Sequence, residues 1–263
     1  MMLAGLPPIR IACLAYHDIT DDAAYSGFQR AGARAYCLST REFVQQLDVI
    51  GRLAHAPGRI TDVDWSRPGH HLLLTFDDGG RSALEAGAEL CRRGWHGHFF
   101  VTTARLGHRT FLDPAGVCEL HRCGHVIGSH SHTHPDIFRE LPFTTMLEEW
   151  LVSRDILSQL LGADVSAASV PGGDLSGNVL RSASCAGYRF LFTSEPRLTP
   201  QYTDNCWIIG RAVLKQGASP RHVGQLADFA GWARSGWKRR LKNSARRSFP
   251  ALYRRYVRVT TAE

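Results

Sequence analysis

Apolar positions along the chain recur in two alternating rhythms. Residues 9–16 form a short apolar run that ends on His17-Asp18. Ser39-Thr40-Arg41-Glu42 then opens a stretch with Phe43, Leu47 and Ile50 on one helical face. A second run, 71–76, stops at Asp77-Asp78-Gly79-Gly80, and the helix predicted after it turns Leu84, Ala88 and Cys91 inward before ending near Gly94. Further strands are predicted at 98–102, 125–129, 166–170, 189–193 and 207–214, and further helices at 114–123, 144–161 and 179–186. The longest helix carries Met146, Leu147, Trp150, Leu151 and Leu157. Strands alternating with helices at this spacing predict an α/β chain with a mostly parallel sheet. About seven such repeats predict a barrel closed by its own helices.

The 263 residues are 44% hydrophobic and 21% charged, a balance that buries a core and excludes a disordered chain. The formal charge of +7 is localised: residues 234–258 hold ten Lys or Arg and no acid, whereas the rest, without Glu263, has 21 bases against 23 acids. The organisation expected is one catalytic domain over 1–231 followed by a basic amphipathic segment, 232–263. In that segment Trp237, Leu241 and Ala245 repeat every four residues among Lys and Arg. Such a segment suits an anionic membrane surface, whereas a body without surplus positive charge argues against nucleic acid. Seven cysteines without CxxC spacing point to a reducing compartment. With no secretory leader in residues 1–8 and no apolar run of spanning length, the expected location is cytoplasmic, peripheral on the inner membrane.

The residues with chemistry fall where predicted strands end: His17, Asp77-Asp78, His130 to His134, and Pro171-Gly172-Gly173. In a parallel α/β barrel those ends converge on one face. Of two adjacent carboxylates, one can bind a cation while its neighbour stays free as a base; a cap or turn is the structural alternative. In His130-Ser131-His132-Thr133-His134, a helical turn would put His130 and His134 on one face, whereas an extended chain would align all three histidines. The extended form resembles the HxH pairs of metal-dependent amidohydrolases and phosphoesterases. A carboxylate with two histidines leaves positions open for water and substrate on one divalent ion, which brings the pKa of a bound water to around 7.

Taken together, Thr75-Phe76-Asp77-Asp78-Gly79 and His130-Ser131-His132-Thr133-His134 make the chain resemble the polysaccharide deacetylases of carbohydrate esterase family 4, the NodB homology domain. Over about residues 9–215 the resemblance implies a deformed (β/α) barrel, a divalent metal (zinc first, with cobalt or nickel as alternatives) and removal of acetyl groups from N-acetylated sugars. Carried onto this chain it makes Asp77 the general base and Asp78, His130 and His134 the metal ligands. The third motif of the family, Arg-x-Pro-aromatic-Gly, corresponds to Ser169-Val170-Pro171-Gly172-Gly173. Gly172 then supplies the oxyanion N–H, with Pro171 and Gly173 beside the substrate, and the motif's arginine is missing. Arg211 is the expected replacement. The family's late Leu-x-His motif is absent too, but Ala15-Tyr16-His17-Asp18-Ile19 resembles the permuted branch, which makes His17 the general acid. Trp95, Trp150 and Trp207 are expected in the core. Two rivals follow from the same residues: an HxH phosphoesterase or amidohydrolase that needs His132, and a glycan-binding domain impaired in turnover by the absent arginine.

Overall fold

The computed structural model describes residues 9–233 and, further on, residues 251, 253, 254, 257 and 259. Trp237, Leu241 and Ala245, on which the predicted membrane-facing helix rests, lie outside the described residues.

β1 (Ile9–Tyr16) and β2 (Gly69–Phe76) pair in parallel over their full length, from Ile9 against Gly69 to Tyr16 against Phe76. They are the two longest strands, lying inside the β9 edge and covered on both faces, which is why their apolar runs are nearly continuous. Outward from β2 follow β3 (His98–Val101), β4 (Val126–Ser129), β5 (Ala167–Ser169), β6 (Phe190–Phe192) and β8 (Cys206–Ile209), all parallel; β7 (Gln201–Thr203) is antiparallel on the edge and β9 (Ala212–Val213) lies beyond β1. The helices are α1 (Thr40–Ile50), α2 (Ala83–Arg92), α3 (Pro114–Arg122), α4 (Phe143–Leu161), α5 (Gly177–Cys185) and α6 (Pro220–Ala227). No helix among the described residues is long and apolar enough to cross a membrane.

Period-two alternation divides the core into two layers. Ala12, Leu14 and Tyr16 face the helices with Leu72, Leu74 and Phe76, whereas Ile9, Ile11 and Cys13 fill the interior with Leu73, Phe100, Ala167 and Phe192. The sheet is a deformed (β/α) barrel. Its two flanks approach each other because the chain passes from Ile209 in β8 to Ala212 in β9 with only Gly210 and Arg211 between, a reach of at most ~11 Å. The predicted strand 207–214 is therefore two strands on opposite flanks, with Arg211 at the seam. At Gly210 a Cβ would come within 2.4 Å of the Glu195 carbonyl oxygen, so only glycine permits this closure.

Local signals were sound at most helix starts. Ser39 and Glu42 form the expected capping box of α1, and Phe43, Leu47 and Ile50 are buried beneath it. The face of α2 was misread: Ala83, Ala86, Gly87 and Leu90 are buried, and Cys91 is exposed. An alanine-rich helix has little contrast between its sides, so periodicity alone placed the inward face one position off. On α4, Leu151 is exposed, while the polar residues Glu149 and Ser153 are buried. Trp95 and Trp150 are in the core; Trp207 is half-buried and stacked on Trp65.

Candidate active site

On the inner face of β2, Leu73, Thr75 and Asp77 follow one another at the rim. Asp77 is gripped by Arg211, with Nη1 to Oδ1 and Nη2 to Oδ2 each 2.7 Å. The other guanidinium N–H groups go to Thr75 Oγ1 (3.1 Å), Ser169 Oγ (2.8 Å) and the Thr193 carbonyl oxygen (3.1 Å). All five donors are thus used within the protein. Arg211, expected as the replacement for the motif's missing arginine, is 0% exposed and holds Asp77. Burial by itself would raise the Asp77 carboxyl, but the charge of Arg211 and then of His130 holds it well below the usual carboxylate range. Ser169, at the position where the family motif has its arginine, accepts one of the Arg211 bonds.

Asp78, next in sequence, turns the other way. Its φ of 76° is in the left-handed region, strained for any residue with a side chain, and the same holds for Ser131 (63°) and His134 (59°). These turns bring Asp78 Oδ1 to 3.3 Å from His130 Nε2 and 3.6 Å from His134 Nε2. The three residues offer ligand atoms that all lie within 4.8 Å of one another, the one such cluster among the described residues. His130 Nδ1 donates to the Ser169 carbonyl oxygen at 2.9 Å, which directs the Nε2 lone pair at the cluster. Burial lowers the pKa of His134 to about 4, with the charge of His130 adding to the effect, so His134 is a neutral donor near pH 7. For His130 burial also opposes charging, but Asp77 and Asp78 prevail and raise its pKa. Two carboxylates drawing positive charge toward neutral imidazole donors is the environment a divalent cation fits.

The histidine motif is neither helix nor strand. His132 points elsewhere, with its Nδ1 on Thr103 Oγ1 at 2.9 Å, so the three histidines do not share a face. Glu149, from α4, holds the loop by accepting from His132 N, Thr133 N and Thr133 Oγ1 at 2.9, 2.8 and 2.6 Å. Sequence reading missed Glu149, although a carboxylate on the inner face of a helix was a signal.

His17 lines the same cavity as Asp77 and Asp78 and is among the charges that keep both carboxyls low. Its ring lies against Tyr36, 4.7 Å between centroids, and its buried Nδ1 has no partner among the described residues. Asp18 accepts from Ser26 Oγ, Gly27 N and Ser82 Oγ, tying the β1–α1 loop to the start of α2. That loop lays Phe28 against His134, 4.9 Å between centroids. Gly172 (φ 67°) and Gly173 line the facing wall, where a Cβ on Gly173 would come within 1.9 Å of Ser194 Oγ. The whole encloses a cavity of about 590 Å³. A buried ion-paired carboxylate, an Asp-His-His cluster, a further imidazole and two glycines thus line one cavity, a set of groups suited to hydrolysis of an acyl bond.

The family model for polysaccharide deacetylase matches residues 65–191. The fold resembles that of IcaB from Ammonifex degensii, with a TM-score of 0.70 at 20% identity over 84% of this chain and 98% of the other. It also resembles the Streptococcus pyogenes deacetylase PplD, solved in complex with acetate (TM-score 0.67, 18% identity, 84% and 99% covered). BC0361, a polysaccharide deacetylase from Bacillus cereus, superimposes with a TM-score of 0.71 at 17% identity, 84% and 69% covered. No curated protein matches the chain.

Proposed function

We propose, from the match of residues 65–191 to the family model for polysaccharide deacetylase, that the chain is a metal-dependent hydrolase of carbon–nitrogen bonds. Its reaction is removal of the N-acetyl group from a sugar of a polysaccharide, an oligosaccharide or a lipid-linked glycan. The observation that carries this reading is the adjacency of the Asp77–Arg211 pair and the Asp78, His130 and His134 cluster on one cavity floor. A divalent cation, zinc in the first instance with cobalt or nickel as alternatives, would be held by Asp78, His130 and His134 and would supply Lewis acidity toward the acetyl carbonyl and a water.

The chain's own residues do the rest. Asp77 is ionised at neutral pH, and each of its oxygens keeps a lone pair after bonding Arg211, so it can take the proton of the attacking water. Gly172 N–H donates to the carbonyl oxygen as negative charge builds there. His17 protonates the nitrogen as the carbon–nitrogen bond breaks, releasing acetate and a free amino sugar. All seven cysteines are free, which supports a cytoplasmic enzyme.

Both rivals lose their ground. The HxH reading needs His132 at the cluster, and His132 is bound to Thr103. The impaired glycan binder rested on the missing arginine, whose place Arg211 takes. The test is acetate release from N-acetylglucosamine oligomers and other acetylated glycans by wild type and Asp77→Asn. The variant should lose about 10²–10⁴-fold in rate while keeping its metal content. Full activity in a metal-loaded Asp77→Asn protein sinks the assignment.

A further inference from the structure

Tyr253 and Val257 line the cavity that holds Asp77, Asp78, His130 and His134, although they belong to the terminal segment expected to stand apart from the catalytic domain. The described residues of that segment are helical, and positions four apart share a helix face. Val257 is only 8% exposed, and Arg254 pairs with Glu140 at 2.9 Å, just beyond the histidine motif. In this segment Val257 is therefore held by a buried apolar contact and Arg254 by a surface ion pair. Leu214 and Leu226, 2% and 1% exposed, line the cavity beside it. Apolar side chains and the phenols of Tyr36 and Tyr253 thus line the same cavity as the carboxylates and imidazoles.

A pyranose has the same double character, with C–H faces that lie on apolar and aromatic surface and hydroxyls that need polar partners. The volume of about 590 Å³ is within the range that encloses a ligand larger than an acetyl group alone. We propose that Tyr253 and Val257 form a sugar subsite, so that these two residues belong to the substrate-binding site and contribute recognition of the glycan rather than the chemistry of the acetyl group. This rests on the deacetylase reading.

The test uses full-length Tyr253→Ala and Val257→Asp, with an N-acetylglucosamine tetramer and a sugar-free aryl acetate as alternative substrates. In both variants kcat/KM for the tetramer should fall about ten-fold relative to kcat/KM for the aryl acetate, with the change carried by KM. An equal fall on both substrates, no fall, or better use of the tetramer overturns the subsite. Calorimetric binding of the tetramer separates this from the parent reading. If wild type releases no acetate from any substrate, the deacetylase reading fails; an unchanged dissociation constant in Tyr253→Ala then overturns the subsite as well.

Discussion

His98 and His130 are almost equally buried, at 0% and 2% exposed, yet they are held in opposite ways. His98, in the barrel body, accepts from Ile60 N at Nε2 (2.9 Å) and donates to the Leu74 carbonyl from Nδ1 (3.0 Å). His125 makes the same double attachment, accepting from Gly97 N and donating to the Gly87 carbonyl, both at 3.1 Å. Each body histidine is a cross-link between two stretches of backbone, and burial lowers the pKa of both to about 4. At the rim His130 spends only Nδ1 on backbone, and its Nε2 faces Asp78. What separates the proposed ligand from a staple is the partner of the second nitrogen, not the degree of burial.

The contrast breaks first if His130→Ala keeps its metal. The expected result is a loss of metal and of acetate release by about 10³-fold or more, because a vacant position in a three-residue donor set costs more than a disturbed supporting bond. Next in size is Arg211→Met. It leaves Asp77 buried and unpaired, so denaturant unfolding should show a loss of ~3–5 kcal/mol. The clamp and the body staples can then be compared through His98→Leu. That change strands the Ile60 N–H and the Leu74 carbonyl and should cost ~2–4 kcal/mol, while metal content, read by elemental analysis, stays at the wild-type level.

The smallest effect is the pH dependence of the staple. With a folded pKa of about 4 against an ordinary 6.5, the unfolded chain binds the extra proton between those values. Stability is therefore complete above pH 6.5 and declines as pH falls toward 4, by ~2 kcal/mol between pH 7 and 5 for His98. Urea midpoints in wild type should drop across that window and drop less in His98→Leu. Equal slopes would show that His98 does not titrate this way.

Much of the fold was legible because its signals are local. The runs at 9–16 and 71–76 are continuous and apolar, as strands covered on both faces must be, and the cap at Ser39 and Glu42 is a matter of three residues. The seam between β8 and β9 was not legible. Two residues in extended apolar surroundings read as one strand, and only closure of the sheet separates them. The motif residues Asp77, Asp78, His130 and His134 were legible as a set of types and spacings. That Asp78 and His134 reach one point through left-handed backbone, and that His132 does not, was left open between two geometries.

The sequence by itself determined which side chains have chemistry and which strand ends carry them, since alternation and turn residues act over a few positions. Only the tertiary structure decided who serves whom. Arg211 reaches Asp77 across 134 positions, and Glu149 grips a loop 16 and 17 positions back. Tyr253 comes to a cavity lined by residues from His17 to Leu226. Contacts of that span depend on how a sheet curls and where its ends meet, and no local pattern of residues encodes a distance set by the whole barrel.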